Sequence, residues 1–276
     1  AGVPFALSVH ARDLFVDAQL LDEKLKDCRA AFTCHAHGRD FLAAKTTQPQ
    51  KVVLMRHGLA LEEYSFRNSG RRDAGGSRGT GSQQQTAAAR GTHATRILAA
   101  GRYVAKKGFN LLIEACADAQ LKERDFTLTL LGEGPARHKL ATQIRKLGLR
   151  NKVALQAAES GAKLRRIFDE ADLFVAPFHA APDGDIDGVP NVILEAFALG
   201  LPVIGTGAGG MCEVLNDETG TVVQENDPAA LAAAIARFID APAEAIEKTR
   251  AARALIEREY DIRRNIAPLA EFIGTL

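Results

Sequence analysis

The chain has 276 residues, more than one ordinary domain and slightly less than two. Hydrophobic residues at 46% and charged residues at 25% are globular values, which excludes wholesale disorder and fibrous classes. Lys+Arg 35 against Asp+Glu 34 leaves a formal charge of +1, so there is no global electrostatic case for a nucleic-acid partner.

The first third alternates short apolar runs with amphipathic ones. Strand-like PFALSV (4–9) precedes a helical pattern over 13–27, and AAFTC (30–34) precedes a second over 36–45; KVVLM (51–55) closes the series. From 71 to 95 the composition falls to Gly, Ser, Gln, Ala, Arg and Thr, with no large apolar residue and no period. Such a stretch cannot bury enough surface to offset its ordering entropy, and it is expected to be a linker or loop.

From 96 a βα rhythm sets in. Strand-like ILAAG (97–101), FTLTLLG (126–132), NKVALQ (151–156), DLFVAPF (172–178), LPVIGT (201–206) and GTVVQ (220–224) alternate with helical patterns over 108–119, 136–147, 161–170, 190–199 and 228–239, and a short one over 210–215. Apolar runs separated by helices predict an α/β fold with a parallel sheet covered on both faces. Ligands of such sheets sit at the carboxyl ends of the strands. The tail, 244–274, reads as two further helices.

No apolar run approaches the roughly 18 residues of a membrane span, and Glu195 interrupts the best one. Four scattered cysteines (Cys28, Cys34, Cys116, Cys212) make no disulfide framework and fit a reducing, cytoplasmic compartment. The chain begins at Ala1 without a basic-then-apolar leader, which reads as a fragment.

The densest chemistry lies in DGDIDGVPNVILEAFALGLPVIGTGAGG, 183–210. Pro190 suits the first turn of a helix, whose free N–H groups suit a phosphate. Asp187 lies just before that helix and Glu195 about a turn and a half inside it, so both can face one crevice. A carboxylate in so apolar a helix should be paired or hydrogen-bonded. In GRYVAKKGFNLLIEA (101–115), Gly101 ends a strand, and Arg102 and Lys107 are cations at the ligand edge that can hold a diphosphate. GEGP (132–135) is a Gly-bounded turn that lets a ligand approach the backbone at Gly134.

In order and spacing the three segments resemble the nucleotide-binding half of GT-B retaining glycosyltransferases of family 4. That family carries a GR…KG turn, a G-(D/E)-GP turn and a Glu-x7-Glu motif running into EA-x-A-x-G-x-PV, and the resemblance covers 96–240. The first acidic position here is Asp187, one methylene shorter than Glu, which would retune the donor-sugar preference. DGDIDGVPNVILEA is most similar to the bacterial polysaccharide-biosynthesis branch. ALSVHARDLF (6–15) resembles the acceptor-domain segment that places a His, here His10, near the donor sugar. KVVLMRHGLALEEYSF (51–66) resembles the turn closing that domain, whose first part, with its glycine-rich loop, would be missing.

The resemblance implies a GT-B-like pair of Rossmann-like domains. Residues 1–70 would be the remnant of the acceptor domain, 71–95 a linker, 96–250 the nucleotide-sugar domain and 251–276 helices crossing back. It implies hexose transfer with retention from a UDP- or GDP-hexose to a saccharide or lipid-linked acceptor. Arg102 and Lys107 would neutralise the leaving diphosphate, Asp187 would orient the sugar and His10 would contact it near the reacting centre. Gly101, Gly134, Gly188, Pro190, Asn191, Val192 and Glu195 would complete the donor site, with Glu195 on the ribose. No metal or other cofactor is implied. The alternative is a nucleotide-binding module left catalytically incomplete by truncation.

Rival readings fit less well. DGDIDG puts Asp183, Asp185, Asp187 and Gly188 at EF-hand positions, but the closing Glu should be residue 194, which is Leu. Its Asp-x-Asp pairs suit metal-dependent GT-A enzymes, whose motif order differs. GTGAGG (205–210) lacks a full crossover helix before Glu225. RHG (56–58) after a strand resembles the histidine phosphatases but lacks an evident partner His. Cys28, Cys34, His35 and His37 match no standard zinc spacing, and the cysteines read as buried thiols. Nine basic residues between Arg137 and Arg166, against Glu159 alone, suit either a solvated helix face or a patch for an acidic acceptor or for peripheral contact with the inner membrane face.

Overall fold

A computed structural model describes residues 5–10, 13–14, 20–67 and 94–274. Most of the expected linker, 71–95, lies outside the described residues.

Three short strands, β1 (Ala6–Val9), β2 (Ala30–Thr33) and β3 (Val52–Leu54), pair in parallel in the order β1-β2-β3. Helices α1 (Leu21–Asp27) and α2 (Ala36–Ala44) connect them. Residues 15–19 of the helical pattern expected over 13–27 are not described, and α1 starts after Leu20, whose φ of 56° cannot continue a helix. Leu14, Leu21, Leu25, Leu42, Val9 and Val52 form a small core of their own.

The second sheet has six parallel strands: β4 (Thr95–Ala100), β5 (Phe126–Leu131), β6 (Val153–Gln156), β7 (Leu173–Ala176), β8 (Val203–Thr206) and β9 (Thr221–Val223). Their order is β6-β5-β4-β7-β8-β9, so the chain starts at the centre, winds to one edge, and returns to β7 beside β4. Adjacent crossovers leaving β4 and β7 therefore depart in opposite directions. The crevice between them is the switch point where a doubly wound sheet takes its ligand. Helices α3 (Phe109–Cys116), α4 (Ala119–Lys122), α5 (Arg137–Lys146), α6 (Gly161–Glu170), α7 (Asn191–Leu199) and α8 (Pro228–Asp240) connect and cover these strands. Ile193, Leu194 and Phe197 of α7 are buried with Phe174 and Val175 of β7 in one core, which explains an apolar helix with a single carboxylate.

The tail departs from the two-helix reading. It forms α9 (Ala243–Glu259), α10 (Ile262–Asn265) and α11 (Ala267–Gly274). Asp261 caps α10 through the N–H of Arg263 (2.9 Å). Pro268 cannot donate to the preceding turn, so α11 starts afresh. Across the two sheets, Leu59 donates to the Tyr260 carbonyl (2.8 Å) and accepts from Ile262 (3.2 Å). Asn265 Nδ2 donates to the His57 carbonyl (3.0 Å), and the Phe272 ring meets Phe32 edge-on at 5.6 Å. The architecture is α/β and GT-B-like, with two parallel sheets whose strand carboxyl ends approach one another.

Candidate active site

Six strand ends supply the site. His10 follows β1, Cys34 to His37 follow β2, and His57 follows β3. Opposite them stand 101–107 after β4, 179–190 after β7 and 207–213 after β8. Gly188 lies where the halves touch, since a Cβ there would sit 2.9 Å from the His35 ring. A cavity of about 200 Å³ opens beside it, lined by His35, His37, Ile186, Asp187 and Gly209 among others.

Asp187 is the centre of charge. One carboxylate oxygen lies 2.8 Å from Lys107 Nζ and the other 3.0 Å from Lys106 Nζ, which also meets Asp185 at 2.8 Å. Lys106 and Lys107 are both buried, and Lys107 Nζ sits 3.8 Å from the centre of the Phe178 ring. Burial alone would raise the Asp187 carboxyl, but Lys107 and Lys106 outweigh it and hold the group below its ordinary value. Burial lowers Lys107 despite its contact with Asp187. Burial also works against Lys106, but its two carboxylates win and raise it.

Lys107 is thus a buried, paired ammonium, and Lys106, not singled out by the motifs, joins it with Asp185. The KK doublet at 106–107 facing DGDID was the available signal. Asp185 and Asp187 are thus paired with ammonium groups. Arg102 is exposed and forms no ion pair among the described residues. Gly101 precedes it at the end of β4.

Tyr103 anchors that turn. Its ring is fully buried, and its single hydroxyl proton is shared between the Leu130 carbonyl (2.7 Å) and the Gln156 carbonyl (2.9 Å), at the ends of β5 and β6. Gly134, at φ 150°, lies against it: a Cβ would come within 2.7 Å of the Tyr103 carbonyl oxygen. The GEGP glycine therefore serves close packing of two turns as well as any ligand approach.

Pro190 is the N-cap of α7, with extended φ and ψ of −76° and 129°, not a residue of its first turn. Its carbonyl accepts from Ile193 (3.0 Å), and no side-chain cap covers the N–H groups of exposed Asn191 and half-buried Val192. Burial and His10 lower the His57 imidazole, with Asn191 opposing. Glu195 has other company: Tyr64 Oη donates to its Oε1 at 3.3 Å, and Arg165 is a nearby cation. Burial raises its pKa, with Tyr64 and Arg165 opposing. Asp187 and Glu195 thus share a segment but not a partner, and Glu195 does not line the cavity.

His10 is exposed and lies with its ring centre 5.8 Å from that of His57. Cys34 Sγ approaches His10 Nδ1 at 3.8 Å. Glu213, absent from any motif, spans the sheets: its Oε1 accepts the Ala36 N–H (2.7 Å) and the His37 N–H (3.4 Å) at the start of α2. The residues considered for zinc from sequence, Cys28, Cys34, His35 and His37, are not a ligand group. Among the described residues, the group spaced for a metal is His10, Cys34 and His57.

The family model described as glycosyl transferases group 1 matches residues 84–257. The amylovoran biosynthesis glycosyltransferase AmsK of Erwinia amylovora is 34% identical over 182 residues, covering 66% of this chain and 45% of AmsK. WcaL of Escherichia coli K12, named for colanic acid biosynthesis, is 33% identical over 182 residues, covering 63% of this chain and 44% of WcaL. The match therefore spans less than half the length of these curated relatives. Among solved structures, Anabaena HepE in complex with UDP superposes with a TM-score of 0.75 at 18% identity, covering 99% of this chain and 72% of HepE.

Proposed function

The chain belongs to the glycosyl transferases group 1 family, and from that premise we propose that it moves a hexose from a nucleotide diphosphate sugar to a saccharide or lipid-linked acceptor, with retention, as a member of family 4. The names of AmsK and WcaL support a place in cell-surface polysaccharide biosynthesis. The UDP held by HepE supports a nucleotide diphosphate donor.

The observation that carries the reading is a charge balance at the switch point. Lys106 and Lys107 are offset by Asp185 and Asp187, which leaves the Arg102 guanidinium as the exposed cation of the β4 turn. A planar fork there suits a diphosphate whose negative charge grows as the glycosidic bond breaks. The uncapped N–H groups of Asn191 and Val192 would share that charge. At about 200 Å³ the cavity falls below the roughly 300 Å³ lower end of ordinary ligand sites, so it suits one sugar ring rather than a whole donor. Asp187 on its wall would hold sugar hydroxyls, and His10, from the first sheet, would contact the sugar near its anomeric carbon. Glu195 would turn from Tyr64 to the ribose.

Calorimetric titration with UDP, GDP and ADP, each with and without EDTA, tests this. Saturable binding of one nucleotide, indifferent to EDTA, is expected, followed by donor hydrolysis or transfer. Binding of none would overturn the donor-site assignment.

A further inference from the structure

The register of the first sheet has a consequence separate from sugar transfer. Val9 pairs with Thr33, and Thr33 with Leu54. The residues that follow these strands, His10, Cys34 and His57, are therefore brought to one edge although they are dispersed along the chain. One ligand atom from each, an imidazole nitrogen or the thiol sulfur, lies within 4.8 Å of the other two. We propose that His10, Cys34 and His57 form a binding site for a soft divalent cation of the Zn2+ class.

Ligand chemistry and spacing both support the assignment. Imidazole and thiolate are the donors that borderline and soft cations select. Bond lengths of about 2.3 Å to sulfur and about 2.0 Å to nitrogen place tetrahedral donors about 3.3–3.6 Å apart. Cys34 Sγ and His10 Nδ1 already stand at 3.8 Å, and all three ligand atoms lie within 4.8 Å of one another. The His10 ring is supported from behind, since Ser8 Oγ lies 3.4 Å from His10 Nε2. Such outer partners fix the imidazole tautomer of metal-binding histidines. His10 is exposed, which gives an entry path and leaves a fourth position for water.

On binding, the Cys34 S–H bond breaks, a sulfur–metal bond forms and the proton passes to solvent; nothing is oxidised or reduced. One consequence rests on the proposed transferase reading. A cation on the His10 ring would withhold that ring from the donor sugar, so Zn2+ would inhibit transfer and EDTA would restore it.

Co2+ titration of the full chain tests the site without any turnover. A near-ultraviolet thiolate-to-cobalt band, saturating at one equivalent and removed by Zn2+, is expected. Cys34→Ser should abolish it, while Cys212→Ser, which alters an exposed thiol, should leave it. His10→Ala changes an exposed ring and should weaken Co2+ binding at least tenfold even if Cys34→Ser fails to fold. No band, a band that survives Cys34→Ser, or unchanged affinity in His10→Ala would overturn the site. Loss of the site with nucleotide binding intact would leave the transferase reading standing. Nucleotide binding lost with the cobalt band intact would do the reverse.

Discussion

At the scale of single residues, Asp187 is held by two ammonium groups, and removing its charge strands Lys107 in a buried position. Asp187→Asn should destabilise the fold by about 3 kcal/mol, the cost of breaking a buried pair, measured by denaturant unfolding. The folded carboxyl is held below its unfolded value. Its contribution is therefore full above the unfolded pKa of about 4 and lost as pH falls through the lowered folded value. The melting temperature of the native chain should drop more steeply below about pH 4 than that of Asp187→Asn; parallel curves would contradict the linkage. Arg102→Ala removes a charge that matters most when the leaving group is formed. It should lower kcat about 100-fold with donor KM changed far less. Glu195→Gln should raise the nucleotide Kd about tenfold, the worth of a charged hydrogen bond, with little change in melting temperature. The positions of Arg102, Lys107, Asp187 and Glu195 along the chain were legible from motif spacing. The mutual neutralisation of Lys107 and Asp187 was not, because spacing does not say which charges meet across two strand ends. The same limit hid Lys106, the partner of Asp185, Glu213 and the grouping of His10, Cys34 and His57, whose members lie on separate crossovers.

At the scale of elements, the parallel strands were legible because each is a short apolar run between turn residues, the pattern of a sheet buried on both faces. Strand order was not, since it depends on crossover direction rather than on any one segment. Tyr103 shows why the turns resist sequence reading. It looks like a loop tyrosine, yet its hydroxyl ties the carbonyls of Leu130 and Gln156 at the ends of β5 and β6. Tyr103→Phe removes that donor, while the Gln156 carbonyl keeps the Gly132 N–H (3.0 Å), and should cost about 1 kcal/mol. It should also raise the nucleotide Kd, because the Arg102 turn is positioned by that anchor; stability lost with an unchanged Kd would separate the two roles.

At the scale of the molecule, Glu213 is a polar tie between the facing strand ends, accepting from Ala36 and His37 and lying 3.9 Å from Arg56. Glu213→Ala should leave both sheets folded but loosen their contact, seen as a larger radius of gyration by small-angle X-ray scattering and a lower turnover. An unchanged radius would assign the contact to packing around Gly188 instead. The return of the tail has a mechanical consequence. Leu59 is clipped to Tyr260 and Ile262, and Arg253 Nη1 donates to the carbonyls of Tyr64 (2.9 Å) and Ala198 (2.5 Å). The chain thus enters and leaves the six-stranded half at neighbouring points. Tension applied between the two ends of the chain would run through this clip and bypass everything between Tyr64 and Arg253. Under load the first sheet and the tail would yield before the larger sheet felt any force.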